Sequence, residues 1–390
     1  MEKLWTSNYT KVWFANFMIF FSFMITTPLL PIYLSEEFGA DKETIGIVLS
    51  GYTLTALLAR PFSGYLVDSF QRKTVLLVCY FFFFVLFAGY IVAGSLTLFA
   101  IVRTMHGAPM GATAVCNSTV AIDVLHPTRR SEGIGYYGLS NNLATAISPS
   151  IGLYVYQMTH NFDYIFFIAL IAAGVGFAIN CTLRCKTNEV QPNKGPISLD
   201  RFFLLKGTRL GVTMGCVALS YGVVSTYLAV YGKEELGMTS GTGLWFALLC
   251  MGLITSRLVG GRTLRKGMAL ENATFGMSLS LFGYLLFAAL HNEIGYYGAA
   301  VIIGLGNGLL WPGFQNMFLN LAPNNQRGTA NSTLLTAWDT GIGLGVLGGG
   351  IIVQYLGYNA SFWAAWITNL FGVLFFIALA RKHYIINRLR

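Results

Sequence analysis

The chain has 390 residues, of which 55% are hydrophobic, 15% are aromatic and 11% are charged, and its formal net charge is +9. A water-soluble globule of this length needs more polar surface, so the composition excludes a soluble enzyme and indicates a protein that lies in a bilayer. In a soluble protein the positive charge would suggest nucleic acid as a partner, but in a membrane protein the placement of the cations matters more, and we expect no nucleic acid.

Twelve apolar segments follow one another along the chain, and most reach the ~20 residues that a helix needs to cross a membrane. They cover residues 10–34, 44–67, 74–94, 96–124, 131–158, 163–184, 208–232, 243–262, 270–290, 295–320, 329–356 and 359–381. The polar stretch 185–207 predicts a cytoplasmic linker. We therefore predict an all-α membrane protein with one six-helix bundle in residues 1–184 and another in residues 208–390.

Basic residues are distributed unevenly among the loops and tails. With the amino terminus in the cytoplasm, the loop and tail cations from Lys3 to Arg390 fall on the cytoplasmic side, and only Lys42 and Lys233 fall outside. The positive-inside rule therefore places both termini in the cytoplasm. The first apolar segment is long and has no small-residue cleavage site, which predicts a retained span in the cell (inner) membrane.

An internal repeat relates the two halves of the chain. The stretch ARPFSGYLVDSFQRK at residues 59–73 is matched by SRLVGGRTLRK at 256–266, and EEFG at 36–39 is matched by EELG at 234–237. Matches that keep one register across half of a chain indicate two copies of one architecture. In a membrane transporter such repeats lie around a central binding site.

The loop after the second segment carries Gly64, an acid four residues later at Asp68, and a basic pair at Arg72 and Lys73. This spacing resembles the loop motif of the major facilitator superfamily, and more narrowly of its 12-helix drug:proton antiporter branch, although two positions between Asp68 and Arg72 differ from the family pattern. The resemblance covers essentially the whole chain and implies the major facilitator fold. It also implies a latch, joined by Asp123, that holds the two halves in the outward-facing state. The alternative is a basic loop that only sets the topology.

The fourth segment carries Arg103, His106 and Gly107, which resemble the second motif of the family. At ~1.5 Å per residue, Arg103 lies about 10 Å below the outer end of its helix, too deep for a loop cation. Because a guanidinium inside a membrane usually faces a polar cavity, we expect Arg103 to line the substrate cavity. His106 lies one turn further on the same face, and it is either a proton carrier or a histidine packed in the core.

The fifth segment contains Ser148, Pro149 and Ser150, within a stretch that resembles the glycine–proline motif of exporters in this superfamily and favours export. The same segment carries two amides at membrane depth, Asn141 and Asn142. A buried amide needs hydrogen-bond partners, so these side chains either line the cavity or bond to a neighbouring helix.

In the second half, aromatic side chains lie beside hydrogen-bonding groups on the seventh, tenth and eleventh segments. That mixture suits an amphipathic organic ligand. We expect the cavity to be lined by Tyr221, Tyr227, Asn307, Trp311, Gln315, Asn316 and Trp338. Each of them alone is equally compatible with a position in the core or against lipid.

Asp339 is the one acid among the sixteen that lies deep within a predicted span. Counting ~1.5 Å per residue from Gly328 puts it about 16 Å into a ~30 Å hydrocarbon core. The repeat places Asn142 opposite to it. Desolvation at that depth favours the protonated acid, so we predict that Asp339 is the proton carrier. The alternative is an aspartate that stays ionised and bonded to neighbouring amides.

The sequence contains no phosphate-binding loop of the form G-x-x-x-x-G-K-[ST], so we expect the energy source to be an ion gradient, most simply of protons. We therefore predict a monomeric secondary active transporter that exports a small organic molecule by proton antiport with alternating access. We expect no enzymatic activity and no cofactor, because no soluble domain lies outside the apolar segments. We expect no metal, and the six cysteines, which are scattered without Cys-x-x-Cys spacing, are read as packing residues. Two alternatives stay open: proton-coupled uptake of a sugar or other nutrient, and a membrane receptor that does not transport.

Overall fold

The structure, a computed structural model, describes residues 3–40, 42–184, 199–238 and 242–389. Within these ranges all regular structure is helical and no strand occurs. The helices are α1 (Ser7–Thr26), α2 (Leu30–Phe38), α3 (Lys42–Ser69), α4 (Arg72–Val92), α5 (Leu96–Asp123), α6 (Arg130–Thr159), α7 (Phe162–Cys181), α8 (Thr208–Glu234), α9 (Thr242–Arg265), α10 (Ala269–Ala289), α11 (Glu293–Leu321), α12 (Arg327–Phe375) and α13 (Arg381–Asn387).

Helix α12 contains two of the predicted spans. Its backbone leaves the helical region at Gly357, which has φ 83° and ψ 174°. Glycine adopts such a conformation without the steric cost that a Cβ atom brings. The predicted gap between the eleventh and twelfth segments falls at this residue. With α12 divided there, α1 and α2 counted as one broken helix, and α13 counted as the end of α12, which it continues through the π-helical residues Phe376–Ala380, the described chain has the twelve predicted helices. This confirms the all-α membrane fold.

The break between α1 and α2 lies at two prolines. Pro28 stands between the helices and Pro31 lies in the first turn of α2, and the two helix axes differ by 41°. Proline lacks a backbone N–H and its ring clashes with the preceding turn, so a straight helix does not continue through Pro28. The first predicted span therefore consists of two helices that are separated by a turn at residues 27–29.

The helices differ in how much of their surface suits lipid. In the described part of the chain, eight helices are long and apolar enough to cross a membrane, and nine if α1 and α2 count as one. Helices α5 and α6 fall below that threshold because they carry many small and polar residues. Residues 110–122 of α5 are all buried. This helix is therefore surrounded by protein along almost half of its length.

The chain forms two compact units. Unit 1 comprises Met1–Arg129, Tyr137–Phe203 and Asn325–Ser332, and unit 2 comprises Arg130–Tyr136, Leu204–Asn324 and Thr333–Arg390. The beginning of α12 thus belongs to unit 1, and the beginning of α6 belongs to unit 2. The domain limits predicted from the sequence stay a prediction, and residues 185–198 of the predicted linker lie outside the described residues.

Each unit has its own aromatic core. In unit 1 the ring centroid of Tyr33 lies 5.2 Å from that of Phe99 and 5.1 Å from that of Phe166. In unit 2 the ring of Phe362 lies 4.9 Å from Tyr231 and 4.8 Å from Phe287. Aromatic pairs at such separations stabilise a fold by more than the burial of their surface area alone. These cores fix the relative positions of the helices that carry the polar residues described next.

Candidate functional site

Asp68, at the end of α3, binds the beginning of α12 within unit 1. Its carboxylate accepts hydrogen bonds from the backbone N–H of Gly328 at 2.9 Å, the backbone N–H of Thr329 at 2.7 Å and the hydroxyl of Thr329 at 2.9 Å. The first N–H groups of a helix have no partner within that helix, and its N-terminus attracts negative charge. Asp68 therefore satisfies donors that α12 leaves open.

A row of alternating charges continues from Asp68. Arg72 binds Asp68 at 3.4 Å and forms a short ion pair with Asp123, and Arg327 binds the other oxygen of Asp123 at 3.0 Å. The four side chains are between 8% and 17% exposed. Because two acids face two cations at low exposure, removing one member would leave a poorly solvated charge behind.

Gly64 marks the place where the beginning of α12 crosses α3. A Cβ atom on Gly64 would lie 2.9 Å from the Cβ of Ser332 and 3.0 Å from the carbonyl oxygen of Gly328. A side chain there would separate the two helices. Four of the five residues predicted to form the latch, Gly64, Asp68, Arg72 and Asp123, therefore lie together, although their role as a latch stays a prediction.

Lys73, the fifth predicted member, lies elsewhere. Its ammonium group donates to the carbonyl oxygens of Cys181 at 3.1 Å and Leu183 at 2.7 Å, at the end of α7. Adjacent residues at the start of α4 therefore point to different partners, and the place of Lys73 in the latch stays a prediction. The sequence-based prediction of the latch did not include Arg327 and Thr329. The internal repeat could have indicated them, because Pro127 and Arg130 of the first half correspond to Pro323 and Arg327 of the second.

A second ion pair occupies the repeat-related position in unit 2. Arg265, at the end of α9, binds Glu132 in the first turn of α6 at 3.0 Å. In the register that matches Gly64 with Gly261, Arg265 corresponds to Asp68, and Glu132 corresponds to Thr329. The sign of the charge is reversed between the two copies. Sequence analysis missed this pair because the second copy lacks an acid at the position of Asp68.

Arg103 lies in an aromatic cage on α5. Its guanidinium carbon is 4.0 Å from the ring centre of Tyr52 and 5.6 Å from that of Phe23, and one of its nitrogens donates to the Tyr90 hydroxyl at 3.2 Å. The residue is 4% exposed. Cation–π contacts stabilise a desolvated guanidinium by about 2 kcal/mol, which explains how the charge is accommodated within unit 1. Its predicted role in the substrate cavity stays a prediction.

His106 continues the same network. Its Nδ1 atom lies 2.8 Å from the Tyr90 hydroxyl, and the rings of Phe87 and Phe83 lie 4.6 Å and 5.0 Å from the imidazole. The side chain is fully buried. These surroundings are those of a histidine packed in a core, which was one of the two alternatives, and its role as a proton carrier stays a prediction.

A buried amide network joins four helices of unit 1, and sequence analysis did not identify it. Asn117 on α5 donates to the Tyr137 hydroxyl on α6 at 2.9 Å, which donates in turn to Asn16 on α1 at 2.7 Å. Asn16 donates to Ser140 at 2.8 Å, and Asn180 on α7 donates to Asn117 at 3.5 Å. Its members bond to one another away from water, although the side-chain oxygen of Asn180 has no partner among the described residues, so this network is a structural element of the bundle.

The two amides singled out on α6 lie outside that network. Asn141 accepts a hydrogen bond from Thr145 on its own helix at 3.2 Å. The side-chain nitrogen of Asn142 is buried and has no hydrogen-bond partner among the described residues. A buried amide without a partner costs free energy, so Asn142 is the better candidate of the two for a ligand contact.

In unit 2, three of the predicted cavity residues come together. The ring of Trp338 lies 5.7 Å from Tyr221 and 5.0 Å from Trp311, the latter edge to face. All three side chains are half-buried, as is that of Asp339 next to Trp338. We call the three rings the aromatic cluster. It offers apolar ring surface of the kind that binds an amphipathic ligand, and Asp339 is the next residue along α12.

The other predicted cavity residues of unit 2 serve helix packing or are buried. Tyr227 donates to the carbonyl oxygen of Val346 at 2.6 Å, and Asn316 donates to that of Pro312 on its own helix at 2.8 Å. Asn307 accepts from Ser280 at 3.3 Å, and Gln315 is 7% exposed. The place of these four residues in the substrate cavity stays a prediction.

Comparison with known proteins gives concordant matches. A family model described as Major Facilitator Superfamily matches residues 12–346 and, in a second match, residues 273–385. The chain is 22% identical over 387 residues to the Staphylopine export protein of Staphylococcus aureus, which covers 95% of this chain and 94% of the relative. It is 24% identical over 374 residues to the Tetracycline resistance protein, class G, of Vibrio anguillarum, which covers 90% and 91% of the two chains.

Solved structures match the fold over nearly the whole chain. A bacterial homologue of the iron transporter ferroportin in an outward-facing state has a TM-score of 0.82 and 14% identity, and the match covers 96% of this chain and 99% of that one. The human organic anion transporter MFSD10 (TETRAN) has a TM-score of 0.78 and 16% identity, with 95% and 98% covered. At these identities the matches show the fold alone.

Proposed function

The chain belongs to the Major Facilitator Superfamily, and we propose that it exports a small organic molecule by proton antiport with alternating access. It is an integral multi-pass membrane transporter and not an enzyme. One observation carries the proposal of export: two relatives that align over most of both chains are named an export protein and a drug-resistance protein. The exporter-like stretch around Pro149 supports the same direction.

We infer that the substrate contacts the aromatic cluster. The rings of Tyr221, Trp311 and Trp338 are half-buried, so part of each ring is open to a ligand that stacks on it or meets it edge to face. In unit 1, Asn142, whose amide nitrogen is buried without a partner among the described residues, is a separate candidate for a hydrogen bond to a ligand.

Asp339 is the proton carrier in this proposal. It adjoins Trp338 and is half-buried within α12, about 18 Å along the helix from Arg327 at ~1.5 Å per residue. An acid next to a substrate surface allows protonation and substrate binding to exclude one another, which is the requirement for antiport. Loss of its charge on protonation lowers the cost of closing the surrounding helices around it.

The charged residues at the ends of α3 and α5 act as the latch in this proposal. Asp68 forms its three hydrogen bonds with Gly328 and Thr329 only while the beginning of α12 is docked on α3. A transporter that alternates must release that docking once in each cycle, so these bonds bias the equilibrium between its states. They contribute to switching rather than to substrate affinity, because they lie at helix ends.

The direction of transport is tested in membrane vesicles of known orientation, with radiolabelled tetracycline as the first probe and a panel of amphipathic cations and anions after it. Export predicts accumulation in inside-out vesicles that have an acidic interior, and a protonophore abolishes it. Accumulation in right-side-out vesicles alone would instead establish uptake. Specific binding of a panel compound without accumulation in either preparation would support the receptor alternative.

The same vesicles test the proton carrier. We expect Asp339→Asn to lose accumulation driven by protons but to keep exchange of labelled for unlabelled substrate, since the binding surface is intact. Asp163→Asn is the matched control, because it makes the same change at an exposed acid in the first turn of α7. Full coupling in Asp339→Asn across pH would move the role to His106 or another group.

A further inference from the structure

A polar groove lies on unit 1 where the ends of α1, α4 and α7 meet. Its volume is about 730 Å³. It is lined by Thr6, Ser7, Asn8, Lys11, Lys73, Cys181, Thr182, Leu183 and Arg184. Three of these residues are cations and, among the described residues that line the groove, none is an acid. The charges converge on one site, whereas the positive-inside rule requires only that cations lie somewhere on that side.

The cations of this groove are held in place by the backbone. Lys11 donates to the carbonyl oxygen of Thr182 at 3.2 Å, and Lys73 donates to those of Cys181 at 3.1 Å and Leu183 at 2.7 Å. An ammonium group has three donors, so each lysine keeps at least one for a ligand. These bonds fix the ammonium groups before a ligand arrives, which lowers the cost of binding.

The wall of the groove at Arg184 is fixed as well. The side-chain nitrogen of Asn8 donates to the carbonyl oxygen of Arg184 at 2.8 Å, and the backbone N–H of Arg184 donates to the side-chain oxygen of Asn8 at 3.2 Å. This reciprocal pair ties the end of α7 to the first turn of α1. The Arg184 side chain itself is exposed, and its planar guanidinium is suited to a phosphate group.

A second, more apolar groove adjoins the first. It has a volume of about 410 Å³ and shares Ser7 and Lys11 with the polar groove. Its remaining lining residues are Trp5, Thr10, Phe14 and Ile179. Trp5 is 49% exposed and Phe14 is 38% exposed. Tryptophan is enriched where a membrane meets water, so this surface has the composition of a lipid interface.

We propose that the two grooves together bind one anionic phospholipid. Its phosphate lies against Lys11, Lys73 and Arg184, and an acyl chain follows Trp5 and Phe14. In the predicted orientation of the chain this lipid belongs to the cytoplasmic leaflet. Basic pockets between membrane helices on that side suit anionic headgroups. The apolar groove favours a phospholipid over free phosphate, because a phosphate ion would leave that groove unused.

The proposal is tested by native mass spectrometry of the purified transporter in detergent, titrated with phosphatidylglycerol or with zwitterionic phosphatidylethanolamine. Each cation near an anionic surface contributes roughly fivefold to binding. We therefore expect Lys11→Gln with Arg184→Gln to weaken phosphatidylglycerol binding roughly 25-fold and to leave phosphatidylethanolamine unchanged. The control is Arg381→Gln with Lys382→Gln, which removes two exposed cations of α13 and should change neither affinity.

Three outcomes would overturn the proposal: equal phosphatidylglycerol affinity in the double variant and the wild type, an equal loss in the control pair, or equally tight binding of glycerol phosphate, which carries the headgroup chemistry without acyl chains. If the double variant fails to fold, Arg184→Gln alone decides the matter, because its side chain is exposed and its backbone bonds to Asn8 persist. We expect that variant to weaken phosphatidylglycerol binding roughly fivefold, and an unchanged affinity would refute the site.

Discussion

The bonds between Asp68 and the beginning of α12 make Asp68→Asn an informative substitution. The carboxylate accepts three hydrogen bonds from Gly328 and Thr329 and lies 3.4 Å from Arg72. An asparagine keeps one oxygen and points an NH2 group at donors that it cannot satisfy. Hydrogen bonds to a charged group contribute about 1.5–3 kcal/mol each, so we expect docking to weaken by about 3 kcal/mol. At 1.4 kcal/mol per factor of ten, the ratio of docked to undocked molecules falls roughly 100-fold.

The assay is the distance between spin labels on either side of this contact. Gln71, at the start of α4, and Asn325, just before α12, are both exposed and both belong to unit 1. Labels are placed there in a protein whose native cysteines are replaced. We expect a narrow distance distribution in the parent protein and a longer, broader one in Asp68→Asn. Asp163→Asn, which makes the same change in the first turn of α7, is the matched control and should leave the distribution narrow.

Two results would refute this reasoning. If the distribution in Asp68→Asn equals that of the parent, then the carboxylate does not hold α12 in place. If instead the substitution abolishes substrate binding in detergent while the distances still respond to substrate or pH as before, then Asp68 serves binding and not switching.

Three further predictions follow from the other contacts. Glu132→Gln should weaken the ion pair with Arg265 by only about 1 kcal/mol, because the Arg265 side chain is 41% exposed. In a double-mutant cycle, adding Arg265→Ala to Glu132→Gln should cause little further loss of stability. Asn117→Ala should lower the unfolding free energy in detergent by about 2–4 kcal/mol, since it leaves buried partners unsatisfied, and equal thermal stability would argue against the amide network. Trp338→Ala should weaken substrate binding about tenfold with unchanged proton dependence, as measured by equilibrium binding across pH.

The fold was predictable because membrane helices follow from local composition. Twenty apolar residues cross a bilayer whatever they pack against, and Pro28 and Gly357 mark breaks through their own backbone chemistry. Helices α5 and α6, which fall below the hydropathy of the other spans, were still counted among the twelve apolar segments at residues 96–124 and 131–158. None of these features depends on a contact between residues that are distant in the sequence.

The site was predictable only in part because its partners are distant in sequence. The spacing of Gly64, Asp68 and Arg72 indicated a cluster, but the backbone donors at Gly328 and Thr329 have no side-chain signature. An asparagine in an apolar helix looks the same whether it bonds to another helix or faces a cavity. For that reason sequence analysis selected Asn142 and overlooked Asn117.

The two repeat-related contacts differ in how they tolerate mutation. Asp68 recognises Thr329 through its backbone as well as its hydroxyl, so any residue other than proline at position 329 keeps one of those two bonds. In the contact described here, Arg265 and Glu132 recognise one another through their side chains, and a substitution that removes either charge ends the pairing. One half of the repeat therefore encodes its contact partly in main-chain geometry and tolerates exchanges at position 329, whereas the other half must change two positions together.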